Sequence, residues 1–326
     1  LCWDEFVRLS PDAEAVRIMA DVASFEQLLA LDYGGIRVGK YAASTALRHL
    51  RVGRLDLTNQ AVRDALLPFL QRSLSYAKAA QNIVKTVRPQ LVLSVDLGYS
   101  PRGELFDVCL AAGLETITWN AAHKNNQLML KRYSRANRDV HPASLSVRTW
   151  HDLQAQPWTH AERERLRREL VGSYLSGEWY GEVGTQFHTT LQEAAEIRRA
   201  LDLDDRKKTA VIFSHIFWDG TFFYGTDLFG SYEEWFVETM KVACANPHLN
   251  WIVKIHPANI VKNVRDGVGS EPSELTAIRS LGETLPAHVR VVQPDSHMST
   301  LSLYSVIDYC VTVRGTVGIE AACFGI

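Results

Sequence analysis

Short apolar runs alternate with amphipathic stretches throughout the second half of the chain, and this alternation predicts strands followed by helices. Four runs predict strands, at residues 209–214, 251–255, 289–292 and 309–313. A stretch of helical periodicity follows each of them, at residues 231–245, 273–281, 300–306 and 316–323. Four strand–helix repeats in succession predict an α/β fold with a doubly wound parallel sheet.

The first half predicts helices around one strand–helix–strand unit. Strands predicted at residues 90–95 and 115–119 flank a helix at 104–112, which Gly113 closes. The first of these strands has the composition of a buried parallel strand. The other predicted elements are helices at residues 1–31, 59–87, 161–171 and 190–201, a short strand at 36–41, and an irregular polar segment at 131–156.

The length of 326 residues favours two domains, each large enough to bury its own core. We expect an N-terminal Rossmann-like domain at residues 1–190 and a C-terminal one at residues 205–326, joined through a charged connector. The chain has no initiator methionine, and it stops where a helix has just ended and a strand should begin. We therefore expect both ends to be cut, with some framework strands lying beyond them.

Composition narrows the classes of function. An apolar fraction of 46% and a charged fraction of 22% are ordinary for a globular protein, and a net charge of −2 gives no electrostatic reason to expect nucleic acid as a partner. No run approaches the roughly 18 apolar residues that cross a bilayer. No signal peptide is recognisable, so we expect a cytoplasmic protein and leave open a peripheral association with a membrane assembly complex. The five cysteines form no C-x-x-C pair, which favours free thiols over a zinc site or a disulfide framework.

The ends of the four strands in the second half carry the residues that suggest chemistry. In open α/β sheets, ligands bind outside the carboxyl ends of the strands. The strongest signal is His256-Pro257, because proline cannot donate to the strand ladder and holds the preceding imidazole in a stiff turn. The alternation of a strand places Lys254 and His256 on one face and Val253 and Ile255 on the other.

A glycine-containing turn is the second signal. Residues 314–320, Arg-Gly-Thr-Val-Gly-Ile-Glu, connect a predicted strand to a predicted helix, and free N–H groups at such a turn favour an anion. The spacing matches neither the P-loop nor the dinucleotide fingerprint. A phosphate of a nucleotide-sugar fits better, and Glu320 could contact ribose hydroxyls. The residues predicted to bind this donor are Ser214, His215, His256, Pro257, Asn259, Gln293, Arg314, Gly315, Thr316 and Glu320.

Three of these segments together resemble a known family. They are residues 254–257 (KIHP), the Gln293-Pro294 turn and residues 312–322 (TVRGTVGIEAA). They are similar to the bacterial capsule polysaccharide biosynthesis proteins, a family of GT-B glycosyltransferases that includes the capsular β-Kdo transferases. The resemblance is specific from Thr209 onward and finds no motif before Gln90. It implies two Rossmann-like domains facing a central cleft, and donor binding by His256 and Thr316.

The resemblance also implies the reaction: transfer of Kdo or a similar acidic sugar from a CMP-activated donor to a glycolipid or oligosaccharide acceptor. No cofactor is expected, and no His/Asp/Glu cluster has metal-ligand spacing. Such a transfer needs positive charge or hydrogen-bond donors on the leaving phosphate and a base for the acceptor hydroxyl. The family takes its base from the N-terminal domain, where no motif identifies it; Asp96 at a strand end is our first candidate and Glu104 the second. Asp219, on the donor side, is a third.

Structural roles remain open for several of these residues. Asp96 precedes a Leu-Gly turn and could act only as a turn residue, and Glu104 could act only as a first-turn helix carboxylate. His123 and Lys124 could contact an acidic acceptor or lie in a solvated loop. A dense aromatic group favours core packing between the domains over sugar stacking, and it comprises Phe217, Trp218, Phe222, Phe223, Tyr224 and Phe229.

Two other functions also remain open. An enzyme that moves a polyol phosphate from a CDP-linked donor would keep the same nucleotide contacts. A catalytically inactive GT-B-like protein would bind glycan or partners in an assembly complex without turning over any nucleotide.

Overall fold

The computed structural model describes residues 5–8, 12–121, 127–176, 190–220, 222–225, 228–260, 267, 271–282 and 284–326. Its contacts divide the chain into two compact units. The first unit comprises Leu1–Ala122, Asn126–Ser144 and Trp218–Asp227. The second comprises His123–Asn125, Leu145–Phe217 and Leu228–Ile326. The predicted roles of residues 1–190 and 205–326 as acceptor and donor domains stay predictions.

The first unit contains five helices and three strands among its described residues. The helices are α1 (Asp12–Ala20), α2 (Phe25–Leu29), α3 (Val38–Leu50), α4 (Gln60–Val87) and α5 (Arg102–Ala111). The strands are β1 (Leu91–Val95), β2 (Glu115–Ala121) and β3 (Leu128–Tyr133). They form one sheet in the order β1-β2-β3, in which β1 and β2 are parallel and β3 is antiparallel to β2. The predicted strand–helix–strand unit is confirmed.

Other predictions for this half were wrong. The strand expected at residues 36–41 is replaced by α3, which begins at Val38, and only a single bridge joins Tyr33 to Ile36. Val38, Tyr41 and Ala42 are buried on one face of α3. A window of six residues is too short to show whether its apolar positions follow the period of a helix or that of a strand. The segment 131–156 is not irregular either, because β3 and a later helix occupy much of it.

Helix α4 confirms the helix predicted at residues 59–87. Asn59 caps it by accepting a hydrogen bond from the N–H of Ala61, and the helix continues through Pro68. Its buried face packs with α3 in a core that includes Tyr41, Leu70 and Leu74, each 0% exposed. The chain between Asp12 and Leu29 forms two short helices instead of the single helix predicted at residues 1–31.

The burial predicted for β1 was wrong. Leu91 is 53% exposed and Leu93 is 61% exposed, whereas Thr116 and Thr118 on β2 are completely buried. Alternate residues of a strand point to opposite faces, so one face of this sheet is covered and the other bears exposed leucines. An apolar run in the sequence does not reveal whether elements cover both of its faces.

Among the described residues of the second unit, seven α-helices and four strands have defined bounds, and residues 258–260 are also helical. The helices are α6 (Val147–Gln154), α7 (His160–Ser176), α8 (Ala194–Ala200), α9 (Tyr232–Ala245), α10 (Ser273–Ser280), α11 (Thr300–Leu303) and α12 (Val317–Cys323). The strands are β4 (Thr209–Phe213), β5 (Asn250–Lys254), β6 (Val289–Val292) and β7 (Tyr309–Val311). All four pair in parallel in the order β6-β5-β4-β7, and the predicted strand–helix repeats are confirmed.

The sheet of the second unit is covered on both faces. Trp251, Val253 and Ile255 belong to one core cluster, with Phe236 of α9, whereas Ile252 belongs to another, with Leu303 of α11. The predicted alternation along β5 is therefore confirmed. The protein is a mixed α/β protein with parallel strands and helices, and the strand order in this unit is compatible with a Rossmann-like fold. None of the described helices has the length and apolar character needed to cross a membrane.

Gly103 provides a test of the packing in the first unit. A Cβ atom at this position would lie 1.9 Å from Cε1 of Tyr41, whose side chain is completely buried. We expect Gly103→Ala to lower the free energy of unfolding by about 1–3 kcal/mol, because a packed core cannot accommodate the added methyl group. Urea unfolding measures this change.

Gly172 is the matched control, because it lies within α7 and a Cβ atom there would meet no atom within 4 Å outside the helix backbone. Gly172→Ala should leave stability unchanged or raise it by up to about 1 kcal/mol. Equal effects of the two substitutions would contradict the packing of α5 on Tyr41.

Candidate functional site

The parallel sheet of the second unit brings four strand ends to one edge. Phe213, Lys254 and Val292 are neighbours in register, so Ser214, His256 and Gln293 follow them at the carboxyl edge of β4, β5 and β6. The pairing of Ile212 with Val311 places the turn after β7 at the same edge. The chain moves from β4 outward to β6 and then returns to the other side of β4 for β7. The gap between β4 and β7 is therefore a topological switch point, where α/β sheets bind ligands.

Hydrogen bonds to the main chain hold His256 at this edge. Its Nδ1 accepts from the N–H of Ala258 at 3.1 Å, and its own N–H donates to Ser214 Oγ at 3.1 Å. The N–H of Ser214 in turn donates to the carbonyl of Lys254 at 3.1 Å. Because Nδ1 is an acceptor, the neutral imidazole carries its proton on Nε2. Ser214 therefore connects the ends of β4 and β5 by hydrogen bonds and holds the backbone of His256 in place.

The residues after the Pro257 turn face inward. Asn259 is 1% exposed, and its Nδ2 donates to Glu274 Oε1 at 2.7 Å. Glu274, in the first turn of α10, is completely buried, and burial raises its pKa to about 7. Asn259 thus anchors the turn to α10, and its predicted contact with a donor stays a prediction. Gln293, by contrast, is exposed, and its carbonyl accepts from the N–H of Ser296 in a turn.

The glycine turn between β7 and α12 packs closely against Thr312. The N–H of Gly315 donates to Thr312 Oγ1 at 3.3 Å, and a Cβ atom at Gly315 would lie 2.8 Å from the same oxygen. A Cβ atom at Gly318 would lie 3.1 Å from Thr312 Cγ2. Both glycines are therefore explained by this close approach. Thr316 is exposed at the tip of the turn, and Arg314 is half-buried beside it.

Two predicted donor residues are held by aromatic neighbours. Glu320 is 4% exposed and accepts a short hydrogen bond from the hydroxyl of Tyr174 on α7, which lies 3.4 Å from the Tyr304 hydroxyl. A ribose hydroxyl would have to displace Tyr174 to bind this carboxylate. The ring of His215 lies 4.2 Å from the ring of Tyr232, and its Nδ1 lies 3.2 Å from the carbonyl of Ile216.

The two predicted base candidates lie in the first unit and differ in access. Asp96 follows β1, has a φ of 57°, and its Oδ1 accepts from the N–H of Gly98 at 3.0 Å. It is half-buried, so it both shapes the turn and keeps some contact with solvent. Glu104 is completely buried in α5. Its role as a base stays a prediction that would require the carboxyl group to become accessible.

Glu104 has an incomplete set of partners. Its Oε1 accepts from Ser73 Oγ at 2.6 Å and from Ser100 Oγ at 2.5 Å. Within the described part of the chain, Oε2 is buried and has no hydrogen-bond partner. Burial raises the pKa of this carboxyl to about 7, despite the opposing effect of the two serines.

Asp219 belongs to the first unit, whereas the predicted donor residues belong to the second, and its role as a base stays a prediction. Its Oδ1 accepts from the hydroxyl of Tyr99 at 2.9 Å and lies 4.0 Å from Arg48 Nη1. The Arg48 guanidinium lies 4.7 Å from the centre of the Tyr99 ring and interacts electrostatically with Asp96. Sequence reasoning missed Arg48 and Tyr99; the position of Tyr99 in the loop after β1 was the available signal.

Several aromatic residues after β4 pack in the core of one unit or of the other, and the predicted packing between the domains stays a prediction. Phe217 is 1% exposed in the core of the second unit, and Phe223 is 3% exposed in that of the first, 4.8 Å from the ring of Tyr41. Trp218 is also buried, 3.9 Å from the Arg51 guanidinium. His123 and Lys124, the predicted acceptor contacts, lie outside the described residues.

Among the described residues, no group of three or more His, Cys, Asp or Glu side chains is placed to hold a metal ion. No model of a known protein family matches this chain, and no curated protein matches it either. The fold and the edge residues thus define the class: a mixed α/β protein whose candidate ligand site lies at the carboxyl edge of a parallel sheet.

The buried carboxyl of Glu104 predicts a pH dependence of stability. Its pKa is raised from 4.5 to about 7 in the folded protein, so folding retains a proton that the unfolded chain releases above about pH 4.5. Stability should fall as pH rises from about 5 to 8, by an amount on the order of 3 kcal/mol for this group. Glu104→Gln is neutral throughout and should remove this component of the slope in urea unfolding measured from pH 5 to pH 8.

Glu238→Gln is the control, because Glu238 is about half exposed and paired with Lys241 on the surface of α9. It should leave the slope as in the unsubstituted protein. An unchanged slope in Glu104→Gln would show that this carboxyl is ionised in the folded state.

Proposed function

We propose that this protein is a glycosyltransferase of the GT-B class that transfers Kdo or a similar acidic sugar from a CMP-linked donor to a glycolipid or oligosaccharide acceptor. The resemblance of residues 254–257 and 312–322 to the capsule polysaccharide biosynthesis proteins supports the substrate class. The mixed α/β fold is compatible with two Rossmann-like domains. The acceptor, and any assembly complex at a membrane, are part of the same proposal.

The observation that carries the proposal is the position of His256 at the carboxyl edge of the sheet, one strand away from the switch point between β4 and β7. Its imidazole is fixed by Ser214 and by the N–H of Ala258, so its Nε2–H is oriented in advance. Arg314 and the exposed Thr316 follow β7 at the same edge. Neighbouring strands are about 4.8 Å apart, so the ends of β5 and β7, separated by β4, are about 10 Å apart. A nucleotide phosphate with its attached sugar spans such a distance.

The chemistry follows from this placement. When the bond between sugar and phosphate breaks, negative charge develops on the leaving phosphate oxygens. Donors held in place before the reaction stabilise that charge without reorganisation, and His256 Nε2–H and the Arg314 guanidinium supply them in this proposal. The acceptor hydroxyl loses its proton to a carboxylate, for which Asp96 is the proposed group because it retains solvent contact.

Calorimetric titration with CMP, CDP, UDP and GDP tests the proposal directly. We expect CMP to bind at least tenfold more tightly than UDP and GDP. Tighter binding of CDP, with polyol phosphate found in the product by mass, would instead favour transfer from a CDP-linked donor. Binding of oligosaccharide without any nucleotide would contradict an enzymatic role.

Substitutions of His256 test the proposed catalytic group. His256→Asn keeps an oxygen near the position of Nδ1, which can still accept from the N–H of Ala258, but it removes the Nε2–H donor. We expect kcat/KM for the donor to fall about 100-fold or more, which is typical for the loss of one such donor. The free energy of unfolding should change by less than about 1 kcal/mol.

His256→Gln is the matched variant, because its amide nitrogen can replace Nε2 as a donor. It should retain more activity than His256→Asn. Equal, near-normal turnover by both variants would rule out His256 as a contact of the leaving phosphate.

A further inference from the structure

Lys254 is a buried lysine at the carboxyl end of β5. It is the last residue of the strand and only 5% exposed. Its neighbours in register are Phe213 on β4 and Val292 on β6, which belong to one core cluster. Residues in register point to the same side of a parallel sheet, so the aliphatic stem of the lysine lies between two apolar side chains.

The amino group of Lys254 has no compensating partner in the part of the chain that the structure describes. No hydrogen bond or ion pair joins it to a described residue, and burial is the cause that lowers its pKa to about 8. A buried ammonium without a counter-charge costs stability, which is why buried lysines are rare unless paired. A lysine in this setting is suited to bind an anion that arrives from outside the chain.

The position of Lys254 connects it to the candidate site. The carbonyl of Lys254 accepts from the N–H of Ser214, and Ser214 Oγ accepts from the N–H of His256. His256 follows the last residue of β5 by two positions, and two residues of extended backbone separate Cα atoms by about 7 Å. Two side chains at that spacing can both reach one tetrahedral anion beyond the strand end.

We propose that Lys254 is a phosphate-binding residue, whose ammonium group pairs with a phosphate of the bound nucleotide beside His256. The inference rests on the proposed function only in that the edge binds a nucleotide phosphate; it does not require sugar transfer. Phosphate supplies the counter-charge that is absent among the described residues, and binding shifts Lys254 toward its charged form.

The ionisable groups of the protein around Lys254 do not themselves favour its charged form. On the same face, Tyr174 of α7, Tyr304 beside α11 and Cys310 of β7 have pKa values raised by burial, so they are neutral near pH 8. Glu320 of α12 is bound to Tyr174, and Arg290 of β6 is paired with Asp202. His256 follows Lys254 by two residues beyond the strand end, and its Nδ1 is an acceptor.

The test is calorimetric titration with inorganic pyrophosphate and with CMP at pH 8, in two buffers of different ionisation enthalpy. The unsubstituted protein should take up roughly half a proton per bound ligand, because Lys254 is about half deprotonated at that pH. Lys254→Met should lower affinity for both ligands at least tenfold and abolish the proton uptake. Its melting temperature without ligand should be unchanged or higher, because a buried unpaired charge has been removed.

Two further variants make the result specific. Lys254→Arg keeps a permanent charge and should retain most of the affinity without proton uptake. Lys208→Met removes an exposed lysine that pairs with Asp308, 3.3 Å away, at the other end of the sheet, and it should leave both affinity and proton uptake unchanged.

Several outcomes would overturn the inference. They are unchanged affinity in Lys254→Met, a lower melting temperature of this variant with normal affinity, or no binding of either probe by the unsubstituted protein. If Lys254→Met does not fold, proton uptake that persists in Lys254→Arg overturns it instead. A protein that binds pyrophosphate through Lys254 but transfers no sugar would keep this inference and contradict only the glycosyltransferase proposal.

Discussion

The parallel pairing of β4 with both β5 and β7 is the constraint on which the second unit depends. All five residues of β4 are buried, so this strand has core on both faces and a hydrogen-bonded neighbour on each side. Parallel strands need crossovers, and each crossover returns the chain to the same end of the sheet. Every strand therefore ends at one edge, and residues as distant in sequence as Ser214, His256 and Arg314 follow neighbouring strand ends.

Three buried side chains, Glu104, Glu274 and Lys254, are ionisable and lack a partner of opposite charge among the described residues. Glu104 in the first unit and Glu274 in the second are completely buried, and each has one oxygen bonded to a neutral partner and one without a described partner. Their raised pKa values allow them to stay protonated, which lessens the cost of burial. For Lys254, burial lowers the pKa, which favours the neutral amine and lessens the same cost. Of these three groups, Lys254 is the only cation, and it is the last residue of β5 at the carboxyl edge of the sheet.

The first unit depends on a segment that comes from the second half of the sequence. The chain leaves the core of the second unit after Phe217, and Trp218–Asp227 belongs to the first unit. There, Phe223 stacks on Tyr41, and Lys40 Nζ donates to the carbonyl of Phe222 at 2.8 Å. Asp219 meets Tyr99 and Arg48 in the same unit. The loop after β4 thus completes a core and a polar cluster that lie more than 100 residues earlier in the sequence.

The sequence by itself determined the four strands of the second unit, the helices that follow them, their order and the residues at the strand ends, because short apolar runs alternate there with amphipathic stretches. It also located α4, whose stripe is long enough to distinguish a helix from a strand. It missed α6, which lies in a segment predicted to be irregular. It did not determine α3 or β3, since short apolar runs fit either period and β3 is defined by pairing with β2. Tertiary structure alone decided that Glu104 is buried and accepts hydrogen bonds from two serines, and that Glu320 accepts a hydrogen bond from Tyr174. It also decided that Asp219 belongs to the first unit and that Lys254 has no described counter-charge. Burial and partners are properties of the whole packed chain, and no local window of residues contains them.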